Sequence, residues 1–177
     1  SEPISNLAII GVYYFRKGEE LMKEIQYLLD NNVQGHGGEY QLTDALDRML
    51  KDGKLFKKAT VDEWLDCGTL PAWLDTTTEI LKKENHSHTE FQNTILHKPV
   101  FIAEGVKLSD SEIGPNVSIE KGAVITNSQI KNSIIREDTA ITNSTLENST
   151  IGKSAEVDGA KGEMHLGDHS VIKQAGS

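Results

Sequence analysis

One glycine-rich loop has the composition of a phosphate-binding segment. Residues 35–38 read GHGG, and such loops can bring backbone N–H groups close to an anion. This loop lacks the Lys and the Ser or Thr of a Walker-type loop, so as a phosphate signal it is weak. Thr43 and Asp44 follow, and we read them first as N-caps of a helix that carries Leu46, Met49 and Leu50.

Asp66 and Cys67, in the stretch EWLDCG, are the next residues that could bind a metal or take part in a reaction. A carboxylate is a hard ligand of the kind that Mg²⁺ accepts in ones or twos from a protein. From the residues alone, an aspartate at a strand end before Cys-Gly is more simply a turn residue. Cys67 has no adjacent histidine to make it a nucleophile, and we interpret it as a packing residue.

The elements that must position these residues alternate in the first half of the chain. Residues 6–15 form an apolar and aromatic run that predicts a strand buried on both faces. Residues 17–32 predict a helix, since Leu21, Ile25, Leu28 and Leu29 share one face. Short strands are predicted at 55–61 and 63–68, and a helix at 70–83. This alternation indicates an α/β sheet, of about half the usual size.

From residue 99 onward, a short repeat replaces the alternating strand and helix patterns. Ile119, Ile135 and Ile151 recur at a spacing of 16 residues, with two further aliphatics between each pair. The three spacings between successive aliphatic residues add up to the same 16 residues each time. This indicates a coil with three sides, in which one aliphatic residue per side is buried. A β-sandwich with short strands is the alternative, but its strands would not keep this register. The segment 158–165 is expected to interrupt the register before a last coil.

Three ordered motifs together with the repeat suggest a family. SNLAIIGVYYF, GGEYQLTDAL and EWLDCGT resemble the C-terminal half of sugar-1-phosphate nucleotidyltransferases, several of which continue into a left-handed β-helix of hexapeptide repeats. The resemblance implies an α/β fold, a partial Rossmann-like domain, followed by a single-stranded left-handed parallel β-helix. We therefore expect residues 1–83 to be the C-terminal portion of the catalytic domain, 84–98 a linker, and 99–177 the β-helix.

The resemblance also implies site residues. Family enzymes join a nucleoside triphosphate and a sugar 1-phosphate, release pyrophosphate and use Mg²⁺ to neutralise developing charge. Asp66 matches the second metal-ligating aspartate of the family. Glu39 borders the sugar pocket, where it either accepts hydrogen bonds from sugar hydroxyls or orients the glycine loop. Ile9, Gly11 and Tyr13 match the strand that floors the sugar site, although plain sheet core explains them equally well.

The other half of the family's catalytic machinery is missing from this chain. The nucleotide loop, the first metal aspartate and the Glu-Lys pair that grips the sugar phosphate are expected upstream. The chain alone is therefore expected to be inactive, and the missing half is expected to read the nucleotide base. The net charge of −9 argues against nucleic acid or an anionic membrane as partner. A single cysteine and the lack of a long apolar run predict a soluble, cytoplasmic protein.

Two other functions remain open. A hexapeptide-repeat acyltransferase would use a histidine as general base, and only His165 and His169 lie in the coil region. Surface polarity is the commoner explanation of both, and with His97 they do not supply three convergent ligands for a metal. The third hypothesis is non-enzymatic, with the β-helix as an oligomerisation or regulatory module. That role is compatible with the nucleotidyltransferase, for which a homo-oligomer is expected.

Overall fold

Two compact units make up the chain in the computed structural model, Ser1–Trp64 and Leu65–Ser177. The structure describes residues 6–83 and 91–173. The first part of the predicted linker, residues 84–90, lies outside the described residues. Within the described residues, no helix is both long enough and apolar enough to cross a bilayer.

The first unit is built on two packed helices. Helix α1 spans Gly18–Asp30 and helix α2 spans Leu42–Lys51, with a 3₁₀ turn at His36–Gly38 between them. Both predicted helices are confirmed, but Leu29 and Leu50, which the sequence assigned to their apolar faces, are 46% and 54% exposed. Leu28, Ala45 and Met49 form the core of this unit.

A buried ion pair joins the two helices. Glu24 of α1 is only 5% exposed, and its Oε2 accepts a hydrogen bond from Arg48 Nε of α2 at 2.9 Å. The Arg48 guanidinium also lies over the ring of Tyr27, 3.4 Å from its centroid. A carboxylate at this depth is tolerable because its partner neutralises it and donates to it.

The predicted N-cap of α2 is wrong. The cap residue is Gln41, and no side chain caps the helix there. Gln41 instead donates its Nε2 to the carbonyl oxygen of His36 at 3.1 Å, which ties the glycine loop to the helix start. Asp44 lies in the first turn, where a negative charge still favours the helix dipole. At the other end, Gly53 follows the helix with a φ of +81°, as expected of a stop residue.

The strands predicted at 6–15, 55–61 and 63–68 are also wrong. None of these segments forms a strand, and Ile9, Val12 and Tyr14 are 75%, 80% and 89% exposed. An extended segment becomes a strand only when a neighbour pairs with its N–H and C=O groups. The described residues of the first unit contain no such neighbour. The prediction of a strand buried on both faces at 6–15 is therefore wrong.

The second unit begins with helix α3, Leu70–Lys83, as predicted, and continues into a parallel β-helix. The fold-class prediction is confirmed in this order, with helices followed by a coil consistent with a left-handed β-helix. Fifteen short strands lie within residues 91–173. They are β1 Ile95–Leu96, β2 Val100–Ile102, β3 Lys107–Ser109, β4 Glu112–Ile113, β5 Val117–Ile119, β6 Val124–Thr126, β7 Gln129–Lys131, β8 Ser133–Ile135, β9 Ala140–Thr142, β10 Thr145–Glu147, β11 Thr150–Ile151, β12 Glu156–Asp158, β13 Lys161–Gly162, β14 His165–Leu166 and β15 Val171–Lys173.

Three five-stranded parallel sheets form the sides of the coil. Their strand orders are β1-β4-β7-β10-β13, β2-β5-β8-β11-β14 and β3-β6-β9-β12-β15. Successive turns place Ile119, Ile135 and Ile151 in register, and all three are fully buried. The predicted spacing of 16 residues is therefore one turn of the coil. The interior is a stack of aliphatic rungs, with strands about 4.8 Å apart.

No loop interrupts the coil at residues 158–165, although the spacing between turns falls from 16 residues at Thr145–Lys161 to 15 at Thr150–His165. Strand β13 pairs with β10 in continuous register, with Lys161 opposite Thr145 and Gly162 opposite Leu146. Gly162 stands where the other turns of this sheet carry an aliphatic residue. Because Gly162 has no side chain, the hydrophobic pattern of the sequence does not reveal this strand. Its backbone nevertheless continues the hydrogen-bonded ladder.

The corners of the coil explain the Asn-Ser rhythm of the sequence. Asn127 and Asn143 adopt positive φ values of 47° and 49°, a conformation that asparagine tolerates better than most residues. Asn127 Nδ2 donates to Asn143 Oδ1 at 2.8 Å across one turn. The next residue, Ser128, is buried, and its Oγ donates to the Thr126 carbonyl and accepts from the Ser144 N–H. Each Asn-Ser pair thus turns the chain and satisfies the backbone.

Charges on one outer corner alternate from turn to turn. Lys121 lies 3.7 Å from Glu137, and Lys153 lies 3.0 Å from the other oxygen of the same carboxylate. The hydrogen bond from Lys153 and the nearby positive charges lower the pKa of Glu137. The ladder therefore favours the ionised form of Glu137 in the folded coil.

Candidate functional site

Asp66 lies at a tight turn immediately before helix α3. The Gly68 N–H donates to its Oδ1 at 3.0 Å, and the side chain is exposed. Thr69 accepts a hydrogen bond from the Ala72 N–H at 3.3 Å with its Oγ1 and so caps α3. The turn interpretation of Asp66 therefore describes its local geometry correctly. A carboxylate held in this way remains accessible to a cation from the solvent side.

The glycine loop before α2 depends on its glycines for two reasons. Gly37 and Gly38 have φ values of +79° and +76°, which residues with a Cβ rarely adopt. At Gly35 an added Cβ would lie 2.8 Å from Asp44 Oδ2, so the Asp44 side chain would have to move. The Gly35 N–H donates to the Glu39 carbonyl oxygen at 2.8 Å and closes the loop.

Glu39 shapes this loop through its backbone and leaves its side chain outside. The carbonyl oxygen makes the closing contact, whereas the residue as a whole is exposed. The carboxylate can therefore accept hydrogen bonds from a ligand without disturbing the loop. Both roles weighed for Glu39 are compatible, because they use different atoms.

Ile9, Gly11 and Tyr13 lie at alternate positions along the extended segment of the first unit. Gly11 bends the segment with a φ of +80°. The ring of Tyr13 lies 6.3 Å from that of Phe15, which in turn meets Phe56 edge-on at 6.3 Å. These aromatic contacts secure the C-terminal end of the segment, while Ile9 remains exposed.

The predicted site residues are divided between the two units. Ile9, Gly11, Tyr13 and Glu39 belong to the first unit, and Asp66 belongs to the second. Across residues 6–83 and 91–173, no three His, Cys, Asp or Glu side chains converge on a possible metal site. Any cation at Asp66 would therefore take most of its ligands from outside the described residues.

The three histidines considered for other chemistry are engaged separately. His165 Nδ1 lies 2.9 Å from Thr150 Oγ1, and its Nε2 lies 3.2 Å from Glu163 Oε1. His97 Nε2 lies 2.8 Å from Glu112 Oε1. His169 has a positive φ of 60° and occupies a corner of the coil. His165, the best placed of them for base catalysis, already uses both ring nitrogens within the coil.

A polar groove of about 340 Å³ runs along the Asn corner of the coil. Its walls include the ladder residues Asn93, Asp110, Asn127 and Asn143. Asn93 Nδ2 donates to Asp110 Oδ1 at 3.0 Å, and Asn143 Nδ2 donates to an oxygen of the next turn. The amides of Asn93, Asn127 and Asn143 each donate to a side-chain oxygen of the next turn, which assigns them first to the stability of the corner.

Thr76 is the contact that sequence reasoning missed. Its Oγ1 donates to the Asp66 carbonyl oxygen at 2.5 Å, and the residue is 8% exposed. The available signal was the run of three threonines at positions 76–78 inside a predicted helix. Threonine is a poor residue for a helix interior, so such a run indicates contacts outside the helix.

Comparison with curated proteins finds relatives along nearly the whole chain. A glucose-1-phosphate thymidylyltransferase of Streptomyces griseus is 24% identical over 196 residues, which is 96% of this chain and 54% of that protein. One from Streptomyces antibioticus is 26% identical, over 97% of this chain and 54% of that protein. The bifunctional protein GlmU of Methanococcus maripaludis is 32% identical over 124 residues, 70% of this chain and 25% of that protein.

The chain spans about half the length of the first two of these relatives. No protein-family profile matches it. The order of elements described above, helices first and the β-helix after them, lies within the aligned span of both thymidylyltransferases.

Proposed function

We propose that this homologue of the sugar-1-phosphate nucleotidyltransferases is the C-terminal part of such an enzyme. The whole protein would join a nucleoside triphosphate to a sugar 1-phosphate and release pyrophosphate. The observation that carries the proposal is the alignment of nearly the whole chain with two thymidylyltransferases, of which it spans 54%. Residues 1–83 would complete the catalytic domain, 84–98 would link it to the β-helix, and 99–177 would form the β-helix.

Asp66 would hold a magnesium ion in the complete enzyme. Its exposed carboxylate fits Mg²⁺, which keeps several waters and takes one or two protein carboxylates together with substrate phosphates. The bound ion would neutralise charge on the phosphates during transfer. On the protein's side, the Gly68 N–H restrains the carboxylate by binding its Oδ1.

The first unit would provide the edge of the sugar pocket. The Glu39 carboxylate would accept hydrogen bonds from sugar hydroxyls, while its carbonyl oxygen keeps the glycine loop closed. Gly11 has no side chain, so a sugar ring could approach the backbone beside Ile9 and Tyr13. The exposed apolar residues of segment 6–15 support this proposal, because an adjoining half-domain would cover them.

The β-helix would serve assembly or regulation in a cytoplasmic homo-oligomer. Its interior is filled by aliphatic rungs, and its outer corners carry alternating charges that stabilise the coil itself. His165, the general base that an acyltransferase would require, is exposed on the coil, where its ring nitrogens contact Thr150 Oγ1 and Glu163 Oε1. The sides of the coil are therefore better suited to contacts with other subunits than to acyl transfer.

An activity assay tests this function directly. The full reading frame that encodes this chain would be expressed, and pyrophosphate release would be measured with glucose 1-phosphate and each of UTP, dTTP, GTP and CTP. We expect activity with at least one nucleotide, and a loss of about 10²-fold or more in kcat for Asp66→Asn. Asp62→Asn is the matched control and should retain activity. Full activity of the 177-residue chain by itself, or of Asp66→Asn, would contradict the proposal.

A further inference from the structure

The turn that carries Asp66 is held at a second point by the middle of helix α3. Thr76 Oγ1 donates to the Asp66 carbonyl oxygen at 2.5 Å. Together with the bond from the Gly68 N–H to Oδ1, this contact fixes both the backbone and the side chain of Asp66. Thr76 is 8% exposed, so water does not readily replace its hydroxyl.

The three consecutive threonines of α3 have three different partners. Thr77 donates to the carbonyl of Trp73 in its own helix at 2.8 Å. Thr78 Oγ1 lies 3.5 Å from Asn132 Oδ1 at a corner of the β-helix. Thr76 is the threonine of this run whose side chain reaches the Asp66 turn. A run of β-branched residues weakens the helix itself, and the outside contacts offset that cost.

Helix α3 is in turn anchored to one side of the β-helix. It lies against strand β5, and its Leu74 and Leu81 are 6% and 4% exposed. Ile134 of the neighbouring strand β8 points outward, since Ser133 and Ile135 on either side of it face the interior. It is nevertheless only 4% exposed, so this outer face is covered. Asp66, α3 and the coil accordingly fall within the same compact unit, Leu65–Ser177.

We infer that Thr76 is a positioning residue through which the β-helix sets the Asp66 carboxylate for a divalent cation. This inference rests on the proposed function, in which Asp66 binds Mg²⁺. The hydroxyl of Thr76 restrains the backbone from which the carboxylate projects. The rigid coil holds α3, α3 holds the turn, and the turn presents the carboxylate in one orientation. The β-helix thereby acquires a role in the metal site itself, in addition to assembly.

Nuclear magnetic resonance on the protein made from the full reading frame can test this role without any activity assay. The variants are Thr76→Val, which removes the hydroxyl, Thr76→Ser, which keeps it, and Thr77→Val as the matched control in the same helix. The first readout is the ¹³C shift of the Asp66 carbonyl, which reports its hydrogen bond. The second is the MnCl₂ concentration that halves the Gly68 amide signal, with Mn²⁺ standing in for Mg²⁺.

We expect Thr76→Val to move the Asp66 carbonyl shift and to raise the half-broadening Mn²⁺ concentration about fivefold. That factor corresponds to about 1 kcal/mol, the typical net value of one hydrogen bond. Thr76→Ser and Thr77→Val should behave like the unmodified chain. An unchanged Thr76→Val, or an equal effect of Thr77→Val, would overturn the inference.

The same experiment separates this inference from the proposed function. If Mn²⁺ fails to broaden Gly68 in the unmodified protein made from the full reading frame, the metal role of Asp66 is wrong and the proposed function fails at this residue. The inference that Thr76 sets a metal ligand then fails with it, whereas the carbonyl shift still shows whether Thr76 holds the turn. If Mn²⁺ binds equally well in all variants, the metal role stands and only the positioning role of Thr76 is refuted.

Discussion

Replacing Ile135 by Ala tests whether the aliphatic stack holds the β-helix together. Ile135 is fully buried, and the register places it between Ile119 and Ile151. The change removes three carbon atoms, worth about 2.4 kcal/mol at about 0.8 kcal/mol per buried methylene. Neighbours held by ladders above and below can relax little, so a cavity term adds to this loss. We expect a total loss of about 3–4 kcal/mol.

Urea denaturation followed by the β-sheet signal in circular dichroism measures this loss. Ile95→Ala is the matched control, because Ile95 lies in a strand of the same coil but is 61% exposed. The control should lose less than about 1 kcal/mol, since it forms no cavity. Equal losses at both positions, or a loss below about 1 kcal/mol at Ile135, would refute the view that the interior rungs dominate the stability of the coil.

Two further predictions concern charges. Arg48→Met should lower the free energy of unfolding of the helical unit by about 2–3 kcal/mol, because Glu24 is left buried without its partner. Lys51→Met, which breaks an exposed pair, should cost under about 0.5 kcal/mol in the same helical circular dichroism melt, and equal losses would contradict this. The pKa of Glu137 is lowered in the fold, chiefly by the hydrogen bond from Lys153, so its contribution to stability is present above the unfolded pKa and is lost as pH falls through the folded value. Glu137→Gln should therefore flatten the acid limb of the melting temperature against pH, and an unchanged limb would refute the coupling.

The hydrogen bonds of the Asn-Ser corners and the contact from Thr76 to Asp66 work by the same principle. Both use short polar side chains to satisfy backbone groups that a turn leaves unpaired. At the corners, Ser128 and its counterparts repeat the solution once per turn. At Asp66 the solution occurs once and involves Thr76 of helix α3, ten residues further along the chain. The repeated form is structural, and the single form marks the turn with the candidate metal ligand.

The sequence by itself determined the β-helix and the three helices. Periodicity reveals these elements, because each turn of the coil must bury an aliphatic at the same step and each helix must bury one face. The rung from Ile119 to Ile135 to Ile151 could be read directly, as could the alternating charges of Lys121 and Glu137. The motif that contains Asp66 could likewise be found from sequence, and with it the relationship to the nucleotidyltransferases.

Only the tertiary structure decided how the remaining residues are used. Residues 6–15 have the composition of a strand, but strand formation depends on a partner that composition does not record. Gly162 lacks the side chain that would have signalled its strand, and the backbone ladder of β10 supplies the pairing instead. The bond from Thr76 to Asp66 joins residues whose proximity depends on how the turn at Asp66 folds back against α3. Periodic patterns are local and can be read along the chain, whereas these contacts depend on which surfaces meet in three dimensions.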